Sequence, residues 1–248
     1  MAWEIVALVF LLGASIGSFI NAWSFRALVS HRSLLSPSAC NACSRRLAWY
    51  ELFPLASFLV LRGKCRSCSV SLSLQYPLVE LLTGIVFVLI WYHFSVHDFS
   101  SLATHYSLLT THWLFWSIII ALSIYDFRTT IIPDHLTLAA GALAFALHPE
   151  NLFAGLLLAA PLAAFWLFSR GRWMGLGDAK LQLGLGFLLG TSIGFAGMLF
   201  GFWLGALAGL ALMIMGRAGM KTEVPFGPFL ALGAFLAWVL QFDMIGLI

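Results

Sequence analysis

Two sets of residues in this chain have the types and spacing that chemistry needs. The first is C40-N-A-C43 and C65-R-S-C68, which between them hold all four cysteines. Each CxxC knuckle offers two thiolates, and two knuckles at this separation suit one tetrahedral zinc ion. Two disulfides, or idle thiols, are the alternative. Four cysteines fill the shell, so the zinc would staple the fold and leave no open position for catalysis. The second set is acidic. Asp126 ends the run SIIIALSIYD, and Asp178 follows two glycines in MGLGDAKL. Two carboxylates brought together in a partly dry site share a proton. One then activates water while the other donates to a carbonyl or leaving amine, and their titration belongs to the pair. Gly175 and Gly177, without side chains, let a substrate backbone or a neighbouring helix approach. The competing reading is a set of ordinary ion pairs, Asp126 with Arg128 and Asp178 with Lys180 or Arg172.

Little else competes as a reacting centre. Glu51, Glu80, Asp134 and Glu223 share the side of the acid pair, whereas Glu4, Asp98, Glu150 and Asp243 fall on the other as solvated loop or terminal charges. The seven histidines show no HExxH-like spacing, and there is no GxSxG or P-loop.

The elements that position these residues belong to a membrane. Hydrophobic residues make up 61% of the 248 and charged ones only 9%, with mean hydropathy +0.97. An average soluble domain carries about 25% charge. Apolar runs lie near 4–25, 77–95, 108–125, 135–148, 151–169, 179–192, 193–215 and 226–246. A full span takes about 20 apolar residues, so the runs at 135–148 and 179–192 are recessed helices or half-spans. The sequence therefore predicts an all-α polytopic membrane protein of about eight transmembrane helices, seven being the alternative. With eight alternating spans, all thirteen Lys and Arg fall on one side, and the opposite connections SVHDFSSLATHYS and HPEN carry none. The positive-inside rule then puts both termini outside and the basic connections in the cytoplasm.

The N-terminus lacks a basic n-region and its apolar run continues to Trp23, so 1–25 reads as a first transmembrane helix rather than a cleaved signal. Residues 26–76 form the one polar stretch long enough to fold outside the bilayer, a small cytoplasmic four-cysteine zinc-binding domain between helices 1 and 2. Residues 77–248 form the remaining membrane domain of about seven helices. In a reducing compartment disulfides are disfavoured, and some fifty residues bury too little apolar surface without a metal cross-link. Arg45, Arg46, Arg62, Lys64 and Arg66 around the knuckles follow from positive-inside bias and meet anionic lipid; no nucleic acid partner is expected. Glycines spaced four apart (Gly13 and Gly17; Gly186, Gly190 and Gly194; Gly201, Gly205 and Gly209) predict close helix packing within one bundle.

In order along the chain, G17-SFIN-A22, the twin CxxC, LRGKCRSC, QYPLVELLTG, D126-FRTTIIPD134, MGLGDAKL and PFGPFLALG resemble the type IV prepilin peptidase family, whose members are leader peptidase/N-methyltransferases. The ordered set covers nearly the whole chain. The resemblance implies a GxGD-type aspartic protease of the bacterial inner membrane, acting at its cytoplasmic face on prepilins or pseudopilins of pilus and type II secretion systems. It implies cleavage of a short basic leader, then methylation of the new N-terminal amine from S-adenosylmethionine. It maps the catalytic pair to Asp126 and Asp178, and the zinc ligands to Cys40, Cys43, Cys65 and Cys68. Members without the cysteine segment tend to lack methylation, so its presence favours both activities. Asp134 matches the family's IPD and is expected to N-cap the next helix; Glu80, in VELLTG, has a structural or a methyl-transfer role. WYELFPLASF departs from the commoner WYDNIP at Glu51, Leu52 and Phe53, which bears on methyl transfer more than on cleavage. Presenilin-like proteases share the YD and GxGD logic but lack the twin CxxC and end in PAL, where this chain has PFGP. A zinc-ribbon scaffold or transporter with ion-binding acids is the non-enzymatic alternative.

Overall fold

The structure is a computed structural model that describes residues 2–30, 37–96, 102–217, 219, 222 and 224–243. Arg32, Asp98, Lys221 and Glu223, counted above, lie outside these residues. The described chain is helical: α1 Ala2–Phe25, α2 Ala56–Val60, α3 Gln75–Val96, α4 Leu102–Thr129, α5 Asp134–Leu147, α6 Leu152–Ser169, α7 Leu176–Ile214 and α8 Gly227–Val239. In hydrocarbon every backbone N–H and C=O must find its partner inside its own segment, which is why apolar runs of this length become helices. Five helices, α1, α3, α4, α6 and α7, are long and apolar enough to cross a membrane, and α5 and α8 are shorter.

Two compact units divide the chain, Met1–Ser117 and Ile118–Ile248, and α4 runs through the division. In the first unit α1 packs on α3. A Cβ on Gly13 would stand 2.8 Å from the Phe87 Cβ, and one on Gly17 3.0 Å from the Glu80 Cα. The expected close packing is therefore an α1–α3 contact. Trp113 stacks on Phe87 at 5.1 Å and donates its Nε1–H to the Phe87 carbonyl at 3.1 Å.

In the second unit α5, α6 and α8 pack on α7. Straight, the 39 residues of α7 would extend about 58 Å, nearly twice the roughly 30 Å hydrocarbon core. They are not straight. Gly190 has φ 72° and ψ −175°, a region open only to glycine. Gln182 Nε2 lies 3.5 Å from the Gly194 carbonyl, residues that a straight helix would hold about 18 Å apart. The halves 176–189 and 191–214 thus fold back on one another, and these are the expected runs six and seven. Counting them separately gives eight apolar helices: α1, α3, α4, α5, α6, the two halves of α7, and α8. Asn151 donates Nδ2–H to the Phe187 carbonyl at 3.0 Å, beside the break. Gly190 is therefore a turn, not a packing glycine. Two acids expected to be merely solvated have partners: Glu150 meets His148 Nδ1 at 2.9 Å, and Asp243 accepts from the Ser192 hydroxyl.

Candidate active site and metal centre

The two CxxC knuckles share one backbone pattern. Cys40 N–H donates to the Arg45 carbonyl and Ser44 N–H to the Cys40 carbonyl, both at 2.9 Å. Cys65 N–H donates to Val70 at 2.9 Å and Ser69 N–H to Cys65 at 3.0 Å. Ser44 and Ser69 both have φ 56°, and antiparallel bridges Ala39–Arg46 and Lys64–Ser71 close the two loops. These turns aim both thiols of each knuckle to one point. The four Sγ atoms lie within 4.8 Å of one another, with Cys40 and Cys68 separated by 3.7 Å, and none is in a disulfide. Sulfurs about 2.3 Å from a tetrahedral zinc stand about 3.8 Å apart, so the cluster fits such an ion. Backbone N–H groups of Cys68 and Ser67 pull the Cys65 thiol down to about 6, and that of Cys43 lowers Cys40. Cys68, though lowered by the Val70 N–H, is pushed up to about 11 by burial and the neighbouring thiols, so the four sulfurs share their protons until a metal displaces them. Thiolate is the form that ligates metal.

Glu51 is tied to the first knuckle. Its Oε1 meets Arg45 Nη2 at 2.6 Å and its Oε2 accepts from the Ala48 N–H at 2.8 Å, with the side chain 2% exposed. The Arg45 hydrogen bond, then the Ala48 N–H, hold this carboxyl below the usual range. Sequence reasoning noted Glu51 only as a departure from a pattern; the structural use of the residue needed the fold.

The acid pair is built in the second unit. α4 ends where Thr130 adopts φ 54° and donates its N–H to the Asp126 carbonyl at 2.7 Å. The β-branched run Thr129–Ile132 and then Pro133 do not continue a helix. Asp126 is left on the last turn, 3% exposed. Asp178 lies on the first turn of α7, 7% exposed, after Gly175 as N-cap. An acid is favoured at a helix N-terminus. Ile132 joins the two places: a Cβ on Gly177 would be 2.7 Å from the Ile132 Cβ, and one on Gly227 3.3 Å from its Cδ1. Gly227 also stands against Asp126, and Gly177 immediately precedes Asp178, so the two acids flank Ile132.

The ion pairs that competed with this arrangement do not form among the described residues. Arg172 donates to the Ser169 carbonyl at 3.2 Å, and Lys180 meets Asp134 Oδ1 at 2.7 Å. The cap expected of Asp134 is also corrected. Pro133 is the N-cap of α5, Asp134 is the first helical residue, and no side-chain cap bond forms. Its carboxylate is drawn instead to Lys180, across 46 positions of sequence. The partner that sequence reasoning missed is Gly227, whose N–H donates to Asp126 Oδ2 at 3.0 Å. PFGP was visible as a motif, but an N–H donor has no signature in residue type.

Fold and site together define a polytopic helical membrane protein with a buried acid pair in one unit and a four-cysteine centre in the other. Residues 11–94 match the Bacterial Peptidase A24 N-terminal domain and residues 113–214 the Type IV leader peptidase family. The prepilin leader peptidase/N-methyltransferase of Bacillus subtilis (strain 168) is 33% identical over 245 residues, 94% of each chain. That of Aeromonas hydrophila is 30% identical over 273 residues, 96% of this chain and 91% of the relative. That of Pseudomonas aeruginosa is 31% identical over 262 residues, 92% and 87%. No solved structure matches. The chain belongs to the type IV leader peptidase family.

Proposed function

We propose that this protein removes the basic leader of type IV prepilins or pseudopilins by aspartate-pair hydrolysis and then N-methylates the exposed amine. What supports the first half is that Asp126 and Asp178 are both buried, flank Ile132, and have no ion pair among the described residues. A scaffold with interfacial acids would satisfy them with nearby cations. One carboxylate takes a proton from water, and the hydroxide equivalent adds to the scissile carbonyl. The protonated partner donates to the leaving nitrogen, so the amide C–N bond breaks to a carboxylic acid and an amine. The Gly227 N–H holds Asp126 Oδ2 in place while its other oxygen does this work. Buried surroundings keep bulk water from diluting the proton sharing.

Cys40, Cys43, Cys65 and Cys68 hold a structural zinc in this reading, and residues 26–76 form its domain. S-adenosylmethionine supplies a methyl group bound to a sulfonium sulfur. The site faces the cytoplasm of the inner membrane, where a basic leader followed by an apolar helix places its own junction by the positive-inside rule.

The test is co-expression with a prepilin, comparing wild type with Asp126→Asn and Asp178→Asn by product mass. Wild type yields a shortened pilin about 14 Da heavier than simple cleavage gives, the mass of the one methylene that N-methylation adds. Either Asn variant leaves the precursor intact at normal protein levels. Processing that survives both substitutions removes the acid pair from the mechanism.

A further inference from the structure

A cavity of about 180 Å³ lies in the first unit, lined by α1, α3 and the cysteine segment. Phe58 and Tyr76 give it aromatic walls, Arg26, Lys64 and Arg66 line it as well, and two carboxylates, Glu51 and Glu80, reach it. They differ in what they meet. Glu51 is answered by the Arg45 guanidinium at 2.6 Å. Glu80 on α3 is buried, and its Oε2 accepts from the Leu55 N–H at 2.8 Å with Ser18 as its other neighbour. It has no cation partner among the described residues. A buried carboxylate with only neutral partners is costly, and an ionisable side chain in a membrane-spanning helix marks a functional site. None of the basic side chains in the lining pairs with Glu80 among the described residues, and the cavity beside it is where a ligand would bring a cation.

We propose that this cavity binds the methyl donor, with Glu80 facing the sulfonium cation; the inference rests on the methyl-transfer half of the function proposed above. The chemistry matches the lining. A sulfonium is a soft, weakly hydrated cation that suits aromatic walls and a carboxylate, and the basic side chains of the lining suit the donor's own carboxylate. Hydrolysis releases the pilin amine with a free lone pair. That pair forms the new N–C bond as the S–C bond breaks, and the S–C electrons stay on sulfur as a neutral thioether. The positive charge passes to the N-methylammonium. Glu80 thus faces a cation before transfer and a neutral sulfur after it, which favours release of the spent donor.

The test measures binding of S-adenosylmethionine and of its neutral thioether product, S-adenosylhomocysteine, to the purified full-length, zinc-loaded protein by calorimetry. The proteins are wild type, Glu80→Gln and Ser57→Trp, with leader cleavage and zinc content read in parallel. Glutamine keeps an acceptor for the Leu55 N–H, so the loop stays anchored while the charge is lost. Wild type is expected to prefer the sulfonium. Glu80→Gln is expected to weaken the sulfonium about ten-fold or more, the loss of about 1.4 kcal/mol, and to change the thioether by less than about three-fold. Ser57 lines the cavity, and Ser57→Trp, which fills it, is expected to weaken both ligands while zinc content and cleavage stay normal. Equal affinity of wild type and Glu80→Gln for the sulfonium, or an equal loss of both ligands in Glu80→Gln, overturns the assignment of Glu80. Normal binding of both ligands by Ser57→Trp overturns the assignment of the cavity. A wild-type protein that binds neither ligand and leaves processed pilin unmethylated overturns the methyl-transfer reading itself.

Discussion

Gly227 shows how much can hang on one hydrogen atom. Its N–H is the donor to Asp126 Oδ2, and a Cβ at this position would stand 2.8 Å from that oxygen and 3.3 Å from Ile132 Cδ1. Gly227→Ala must push the carboxylate or Ile132 aside, and displacing a reacting group by a fraction of an ångström costs catalysis heavily. The expected outcome is a fall of about ten-fold or more in leader cleavage at normal protein levels, followed as a time course of precursor conversion. The Lys180–Asp134 pair beside the site is of another kind: its side chains are 40% and 76% exposed, and such pairs contribute about 0–1 kcal/mol. Glu51 is buried and bonded to Arg45, and its pH dependence has a definite sign. Its folded-state pKa lies below the ordinary value, so its contribution is complete above about pH 4.3 and disappears as pH falls through the lower folded value. The cysteine segment of wild type should resist proteolysis better than that of Glu51→Gln at pH 7, and the difference should vanish in acid. A difference independent of pH would separate Glu51 from this role.

At the scale of elements, the cysteine segment and α7 solve opposite problems. Among the described residues the segment has a five-residue helix, α2, short turns of π-helix at Arg26–Ser30 and 3-10 helix at Trp49–Leu52, and two isolated bridges. Chains this short and this polar hold their fold through cross-links. Stripping the metal with a chelator should therefore expose 37–74 to protease and all four thiols to alkylation, while α3 stays protected. Protection that survives complete metal loss, checked by elemental analysis, would remove the staple. α7 has no lack of apolar surface; its problem is length. A single glycine conformation at residue 190 turns 39 helical residues into two segments that fold back on one another. Asn151, in the HPEN connection, then serves the Phe187 carbonyl beside the break.

For the whole molecule, the placement of charge decides orientation. Eight alternating spans would put every Lys and Arg of the sequence on one side of the bilayer, and the energetic bias against moving such residues across is the basis of the positive-inside rule. Both termini should then be outside. An alkaline phosphatase fused after Ile248 is expected to be active, and a green fluorescent protein at the same point dark. The reverse pattern would require an odd number of crossings.

The sequence by itself determined the class, the element count and the ligand types. Apolar runs, one-sided basic residues and the two CxxC knuckles are local features, and local features survive in a one-dimensional record. It also separated Asp126 from its near neighbour Asp134 and joined it to the distant Asp178. The cap predicted for Asp134 failed because the helix begins one residue earlier, with Pro133 in the N-cap position, and the carboxylate of Asp134 meets Lys180, 46 positions away. The Gly227 N–H on Asp126 and the Leu55 N–H on Glu80 span 101 and 25 positions, and each is given by a backbone group that every residue but proline carries. The cation partner of Glu51 and, among the described residues, the lack of one at Glu80 were likewise decided in three dimensions. Residue type states what a side chain can do; only packing states what it is left facing.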